Sequence, residues 1–423
     1  MKTISNFLLI LFLMFGWKSS PAQDVRKSRY LSVPVIDLEQ EKSLHFTVDR
    51  EEGVYLGHPT TVLADSGKTV ITVYPKGHGS GEIVMKKSYN GGVIWTERLP
   101  VPETWKSSKE VPTLFPVILP DGKRRIVMFS GLYPVRIAWS DDEGATWSEL
   151  HKVGDWGGIV AMASLIKLNT GSSDYMAFFH DDMRYFSENG QELYSSDRKN
   201  SNDRLFTLYK TVTSDGGITW SFPEAILSRR DMNLCEPGVI RSPDGKKIAL
   251  LLRENSRRFN SQIIFSTDEG KTWSQPRPLP NELNGDRHVL KYLPDGRIIA
   301  VFRDVSPNNA KGDLVKIAKA AGEVNLSTIA DSTQLGSPTE GDWVGWVGTW
   351  KDLIKGRHGQ YRIRFRDNWH SWDCCYPGVE ILPEGDILIV TYGYWDRAKF
   401  PFISAVKIRA EELDNYYKEL KRR

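Results

Sequence analysis

An octapeptide of the form Ser/Thr-x-Asp-x-Gly-x-Thr-Trp recurs along this chain and constrains its fold more than any other feature. It reads Ser140-Asp141-Asp142-Glu143-Gly144-Ala145-Thr146-Trp147, then Thr213-Ser214-Asp215-Gly216-Gly217-Ile218-Thr219-Trp220, then Ser266-Thr267-Asp268-Glu269-Gly270-Lys271-Thr272-Trp273. A degenerate copy is Ser88-Tyr89-Asn90-Gly91-Gly92-Val93-Ile94-Trp95. Each copy follows a short strand-like run such as Ile263-Ile264-Phe265. An Asp carboxylate accepts backbone N–H bonds within a turn, Gly permits positive φ, and Trp packs over the base. The octapeptide therefore predicts a hairpin used repeatedly, the mark of a fold built from similar units.

A second repeat supplies the count. Strand-like runs flank Asp65-Ser66-Gly67, Asp121-Gly122, Asn169-Thr170-Gly171, Asp244-Gly245, Asp295-Gly296 and Glu384-Gly385. Asp-Gly between apolar runs is a strong hairpin signal. Six such hairpins, four followed by an octapeptide hairpin, predict an all-β fold of six four-stranded blades, a β-propeller whose closure removes exposed sheet edges. The one convincing helix is a short charged C-terminal segment, Ala410 to Lys421. No low-complexity linker divides residues 23–423, which read as a single propeller domain.

The opening of the chain reads as an export signal. Lys2 supplies a positive start, Phe7 to Trp17 a short apolar run, and Ser20-Pro21-Ala22 the small residues of a cleavage site. Residues 1–22 are thus expected to be a cleaved signal peptide, and the mature protein to be soluble and secreted or periplasmic. No other stretch approaches the roughly 20 apolar residues of a spanning helix. A net charge of +3 speaks against a nucleic-acid surface. Cys235, Cys374 and Cys375 are too few for a disulfide framework. They read as buried free thiols, with a Cys235–Cys375 bridge as the alternative. No metal-ligand spacing, phosphate loop or Ser-His-Asp elbow is present, so neither metal nor cofactor is expected. A closed propeller is expected to be a monomer.

If the Asp-Gly turns lie at one end of the propeller, the opposite end gathers the start of each first strand and the end of each second. That mouth collects His58, Lys76, His78, Glu110, His180, Asp181, Asp182, Glu236, Arg253, Asp286, Arg287, His288, Arg303, Asp373, Tyr376 and Tyr392. Any one of these reads equally well as a solvated rim charge. Their convergence on one axis reads as a ligand site. The octapeptide carboxylates fall at the far end and read as structural.

The octapeptides are Asp-boxes, and the chain resembles the sialidase (neuraminidase) superfamily of Asp-box, or BNR-repeat, six-bladed propellers over essentially its whole mature length. Cys235-Glu236-Pro237-Gly238-Val239-Ile240 and Leu251-Leu252-Arg253-Glu254-Asn255 resemble the sialidase segment with a general-base Glu and one Arg of a carboxylate-binding triad. Tyr376-Pro377-Gly378-Val379 with Leu382-Pro383-Glu384-Gly385 resembles the segment with the nucleophilic Tyr. The resemblance implies an exo-acting glycosidase that releases a terminal acidic sugar, a sialic acid or a relative, from a glycan. It implies Tyr376 as nucleophile, Glu236 as its base, and Arg253 and Arg287 as a clamp completed by Arg303 or Arg364. Lys76 and His288 join the expected substrate-binding set. A neutral Tyr activated by Glu avoids the repulsion that an anionic nucleophile would meet from a carboxylate on the anomeric carbon. A planar guanidinium binds that carboxylate bidentately.

Blade 1 departs from the family. Sialidases open it with Arg-Ile-Pro, where this chain has Gly57-His58-Pro59. Their acid/base Asp lies in the loop that here reads Pro75-Lys76-Gly77-His78-Gly79-Ser80-Gly81, without a carboxylate. Glu110, Asp181 and His58 are the candidate replacements. The changes also admit a non-catalytic carbohydrate-binding propeller, or a polysaccharide lyase using His58, His288 and Tyr376. Trp343, Trp346, Trp350, Trp369 and Trp372 read as core or as a sugar-stacking rim. Arg362, Arg364 and Arg366 alternate as one basic face of a strand.

Overall fold

The apolar runs on either side of each turn pair as antiparallel strands, and six sheets result. The computed structural model describes residues 30–64, 67–186, 204–306, 325–333, 336–397 and 399–422, together with 316, 317, 320 and 322. The expected signal peptide and the turn residues Asp65 and Ser66 lie outside these. Two strands precede the blades, β1 (Val35–Asp37) and β2 (His45–Asp49). Blade 1 holds β3 (Thr60–Leu63), β4 (Val70–Pro75) and β5 (Ile83–Ser88). Blade 2 holds β6 (Pro112–Ile118), β7 (Arg124–Ser130), β8 (Arg136–Ser140) and β9 (His151–Lys152). Blade 3 holds β10 (Ile159–Lys167), β11 (Tyr175–Asp181), β12 (Thr207–Thr213) and β13 (Glu224–Ser228). Blade 4 holds β14 (Leu234–Arg241), β15 (Ile248–Glu254), β16 (Gln262–Ser266) and β17 (Arg277–Pro278). Blade 5 holds β18 (Gly285–Tyr292), β19 (Ile298–Asp304), β20 (Trp343–Gly348) and β21 (Tyr361–Arg366). Blade 6 holds β22 (Gly378–Ile381), β23 (Asp386–Gly393) and β24 (Phe402–Arg409).

Two blades depart from four strands. In blade 1 the fourth position is a single bridge, Met85 to Leu99. Blade 5 gains a fifth strand, because β1 runs parallel to β21. The outer strand of blade 6 is β2, antiparallel to β24 with His45 opposite Val406, so the N-terminal segment closes the ring. The first strands meet around the axis in the order β3, β6, β10, β14, β18, β22 and back to β3. That approach demands small residues: a Cβ on Gly238 would lie 2.1 Å from the His288 carbonyl oxygen of the next blade.

The three intact octapeptides share one hydrogen-bond pattern. In the first, the Ser140 hydroxyl donates to Asp142 at 2.8 Å and accepts from Gly144 N at 2.7 Å, while Asp142 accepts from Thr146 N at 2.8 Å and Thr146 Oγ1 at 2.6 Å. In the degenerate copy Asn90 still accepts from Ile94 N at 2.9 Å, but Ile94 has no hydroxyl to add. These turns share an end with the Asp-Gly turns, since Arg125 of β7 bonds Asp141 at 2.6 Å and Glu269 accepts from Asn169 N of the preceding blade at 3.0 Å.

Among the described residues the helices with defined bounds are α1 (Leu326–Thr333), α2 (Trp350–Lys355) and α3 (Ala410–Arg422). The last is the expected C-terminal helix. The second is a single turn held by a reciprocal Thr349–Asp352 cap. Apolar side chains pack between neighbouring blades, with Trp105, Trp343, Trp346, Phe129, Phe178 and Phe302 fully buried. All three cysteines are buried free thiols, so the bridge alternative falls.

Candidate active site

At the end away from the turns, the first strands bend. β10, β14 and β18 each break register, between Ile159 and Ser164, Cys235 and Gly238, and Asp286 and Val289. Val160, Glu236 and Arg287 sit inside these breaks with φ of 51°, 48° and 59°, and His58 and Cys375 hold 55° and 61° at blades 1 and 6. Non-glycine residues rarely adopt this region, and such outliers gather where a side chain has to be re-aimed.

Glu236 is the hub. Tyr376 donates its hydroxyl to Glu236 Oε1 at 2.6 Å, and Arg253 Nη1 donates to the same oxygen at 2.7 Å. Burial opposes ionisation of Glu236, but the Arg253 charge and the Tyr376 hydrogen bond hold it below the ordinary carboxylate range. Burial and the Glu236 charge push the Tyr376 phenol above its ordinary range, so it is protonated at rest. Glu236 Oε2 has no hydrogen-bond partner among the described residues. Arg287 lies over the Tyr376 ring at 5.5 Å and donates to the Ala163 carbonyl at 2.8 Å. Asp286 anchors the arginines: Arg257 at 2.5 and 2.7 Å, Arg303 at 2.5 and 3.0 Å, and Arg253 at 3.3 Å.

A second network borders Tyr376. The His58 ring lies 4.5 Å from both the Tyr376 and Tyr392 rings. Gly79 N donates to His58 Nδ1 at 3.2 Å, which leaves the proton on Nε2, 3.2 Å from the Tyr392 hydroxyl. Burial depresses His58 to about 3, so it is neutral. Tyr392 and Tyr55 donate to Asp373 at 3.0 and 2.8 Å. His78 joins through Nδ1, 2.8 Å from the Tyr55 hydroxyl and 3.4 Å from Asp373.

The opposite wall comes from blades 2 and 3. Glu110 accepts from Val160 N at 2.6 Å and Ala161 N at 3.3 Å, and burial lifts it to about 7. Asp182 pairs with Arg184 at 3.2 Å and Arg204 at 3.1 Å. The pocket these walls form measures about 440 Å³, opens to solvent, and is lined by residues including His58, His78, Glu110, Arg184, Glu236, Arg253 and Tyr376. A slightly larger cavity of about 500 Å³ follows the axis towards the turn end, between the first strands. Its lining includes Lys167, Arg287, His288, Lys291 and Glu380 but not the Tyr376–Glu236 pair, so the smaller pocket is the candidate site.

The structure brings together Tyr376, Glu236, Arg253, Glu110 and His58 at this pocket, with Arg287 and Arg303 supporting it from behind. Asp181 is buried and caps its own loop, accepting from Tyr185 N at 3.1 Å and Phe186 N at 3.0 Å. Burial raises it to about 6. Three expected binding residues lie elsewhere. Arg364 sits on the outer strand β21, paired with Asp37 at 3.1 Å and Asp342 at 3.5 Å. His288 turns away from the bulge to donate to the Leu283 carbonyl at 2.8 Å. Lys76 pairs with Glu51 at 3.3 Å. Of the alternating arginines, Arg362 is fully buried beside Asp304 at 3.1 Å, while Arg364 and Arg366 are half-buried and the intervening Ile363 and Phe365 are core. None of the five tryptophans lines the pocket, and Trp343 and Trp346 are core. Arg184, Arg204, Tyr55 and Lys109 were not anticipated. The signal for Arg184 was its place three residues after Asp181, in the loop that ends a second strand. Among the described residues no group of His, Cys, Asp and Glu is arranged to hold a metal.

A six-bladed propeller with a polar pocket opposite its turns is an architecture found among glycosidases. No family model matches the chain, and no curated protein does either. Solved structures do match. A Dyadobacter fermentans protein of unknown function aligns at 13% identity with a TM-score of 0.60, covering 86% of this chain and 97% of its own. The α-L-arabinofuranosidase of Fusarium graminearum, solved with an iminosugar inhibitor, aligns at 12% identity and a TM-score of 0.59, covering 87% and 98%. The NanB sialidase of Streptococcus pneumoniae aligns at 10% identity and a TM-score of 0.53, covering 87% and 71%. The likeness at these identities is one of fold.

Proposed function

We propose that this chain is an exo-acting glycoside hydrolase of sialidase type, releasing a terminal acidic sugar from a glycan. The observation that carries the reading is the buried contact between Tyr376 and Glu236, with Arg253 on the same carboxylate oxygen. An ionised Glu236 takes the phenol proton as Tyr376 attacks the anomeric carbon, so no free phenolate has to form in the pocket. Arg253, with Arg184 and Arg204 on the facing wall, gives the pocket the positive groups that an acidic sugar calls for. Arg287 and Arg303 fix the floor on which Tyr376 stands. The expected leader at residues 1–22 would place the activity outside the cytoplasm, and no helix among the described residues is long and apolar enough to cross a membrane.

The test is release of free sugar from a sialoside, a related nonulosonide and a uronide, by wild type and by Tyr376→Phe. Release by wild type that Tyr376→Phe abolishes is the expected result. Binding without release from any of the three would point instead to a carbohydrate-binding propeller. An unsaturated product absorbing in the ultraviolet would point to a lyase.

A further inference from the structure

A hydrolase built on Tyr376 also needs an acid to protonate the departing sugar oxygen, and the mouth offers several groups near neutrality. Geometry removes most of them. Both oxygens of Glu110 accept backbone N–H bonds, and its side chain is buried. Asp181 is 1% exposed and is held within its loop. Both nitrogens of His58 are engaged, by Gly79 N and by Tyr392.

His78 differs on each count. It lines the same pocket as Tyr376 and Glu236, and its side chain is 68% exposed. Its ring lies 5.0 Å from that of His58, which packs directly on Tyr376. Nδ1 is tied to Tyr55 and Asp373, while Nε2 has no hydrogen bond among the described residues. An imidazole held at one nitrogen by a carboxylate and open at the other has the arrangement of a proton donor.

We infer that His78, oriented by Asp373, is the general acid and base of the reaction, in the blade 1 loop that carries no carboxylate. The inference rests on the hydrolase reading. In the first step Tyr376 Oη bonds to the anomeric carbon as the glycosidic C–O bond breaks. The Tyr376 proton passes to Glu236, and the His78 Nε2 proton passes to the leaving oxygen. In the second step water attacks the anomeric carbon and gives a proton to His78, the bond to Tyr376 breaks, and Glu236 returns its proton to the phenol. Each residue ends as it began, and the sum is one water consumed.

The surroundings keep His78 charged towards neutral pH. The hydrogen bond to Asp373 raises it above the ordinary histidine value, against the opposing effects of burial and Arg303. Its other titratable neighbours are Tyr55, whose hydroxyl is 2.8 Å from Nδ1, and His58, whose ring is 5.0 Å away. Asp373 is itself lowered to about 2; burial works against this, but His78 and Tyr55 outweigh it.

The experiment compares methyl and 4-nitrophenyl α-glycosides of N-acetylneuraminic acid, and the corresponding glucuronides, with wild type, His78→Gln and Asp373→Asn. Nitrophenolate leaves without a proton, and an alkoxide does not. His78→Gln is expected to lower kcat/KM, which reports the first step, by about 100-fold or more for the methyl glycoside and by no more than about threefold for the nitrophenyl glycoside, while kcat falls for both because the second step is shared. Asp373→Asn is expected to move the alkaline limb of kcat/KM for the methyl glycoside to lower pH. Equal loss of kcat/KM on both glycosides, or loss on neither, would overturn the assignment of His78 and leave the hydrolase reading standing. Wild type inactive on all four would overturn that reading, and the assignment with it.

Discussion

Glu110 and Glu236 face the same pocket, yet their environments push them in opposite directions. Glu236 has a guanidinium and a phenol on one oxygen and stays ionised. For Glu110 deep burial outweighs two backbone N–H groups and the more distant Arg184 and Arg287 charges, and it rises to about 7. The folded state therefore favours protonated Glu110. Its stabilising contribution is complete below the unfolded carboxyl pKa near 4.3 and is lost as pH rises through about 7, by roughly 4 kcal/mol in all. Thermal unfolding at pH 5 and pH 8 should show wild type losing stability relative to Glu110→Gln across that interval. The cluster of Glu236, Arg253 and Tyr376 was legible in the sequence because recognisable turns fix which strand ends lie opposite them, and those ends meet at one mouth. His288 and Arg364 were not. His288 follows the left-handed Arg287 inside a bulge, and a one-residue change of register turns a side chain to the other face. Arg364 alternates as a mouth residue would, but on β21, the fourth strand out from the axis of its own blade, a distinction periodicity does not encode.

At the scale of the element, the octapeptide turns act far from the chemistry. Asp215 accepts from the Thr213 hydroxyl at 2.6 Å, Ile218 N at 2.9 Å, Thr219 N at 3.0 Å and the Thr219 hydroxyl at 2.5 Å. Removing that carboxylate strands two backbone donors and two hydroxyls at a half-exposed turn, where water compensates in part. Asp215→Ala should lower stability by about 1–3 kcal/mol in denaturant unfolding while leaving turnover per folded molecule unchanged. Turn chemistry was the most readable part of the chain because Asp and Gly act locally there. The strands β1 and β2 were silent for the opposite reason. Val35-Ile36-Asp37 and His45-Phe46-Thr47-Val48-Asp49 are short, and they pair with β21 and β24, far away in sequence. The missing fourth strand of blade 1 goes with the degenerate copy, whose turn lacks the Thr hydroxyl.

The whole molecule depends on the seam in blade 6. Without β2, β24 would present an open edge of unpaired N–H and C=O groups, and the ring would lose its closing contact. A chain starting at residue 50 should lose cooperative thermal unfolding and associate in size-exclusion chromatography, whereas removal of residues 1–29 should leave the unfolding midpoint unchanged. The seam also fixes an order of events. Phe46 accepts a hydrogen bond from Ser404, 358 residues later in the chain. A ribosome makes the first half of this contact early and the second half almost last, so β2 waits unpaired through nearly the whole of synthesis. Native closure is thus a step for the completed chain, and until then the strand that will complete blade 6 has no partner.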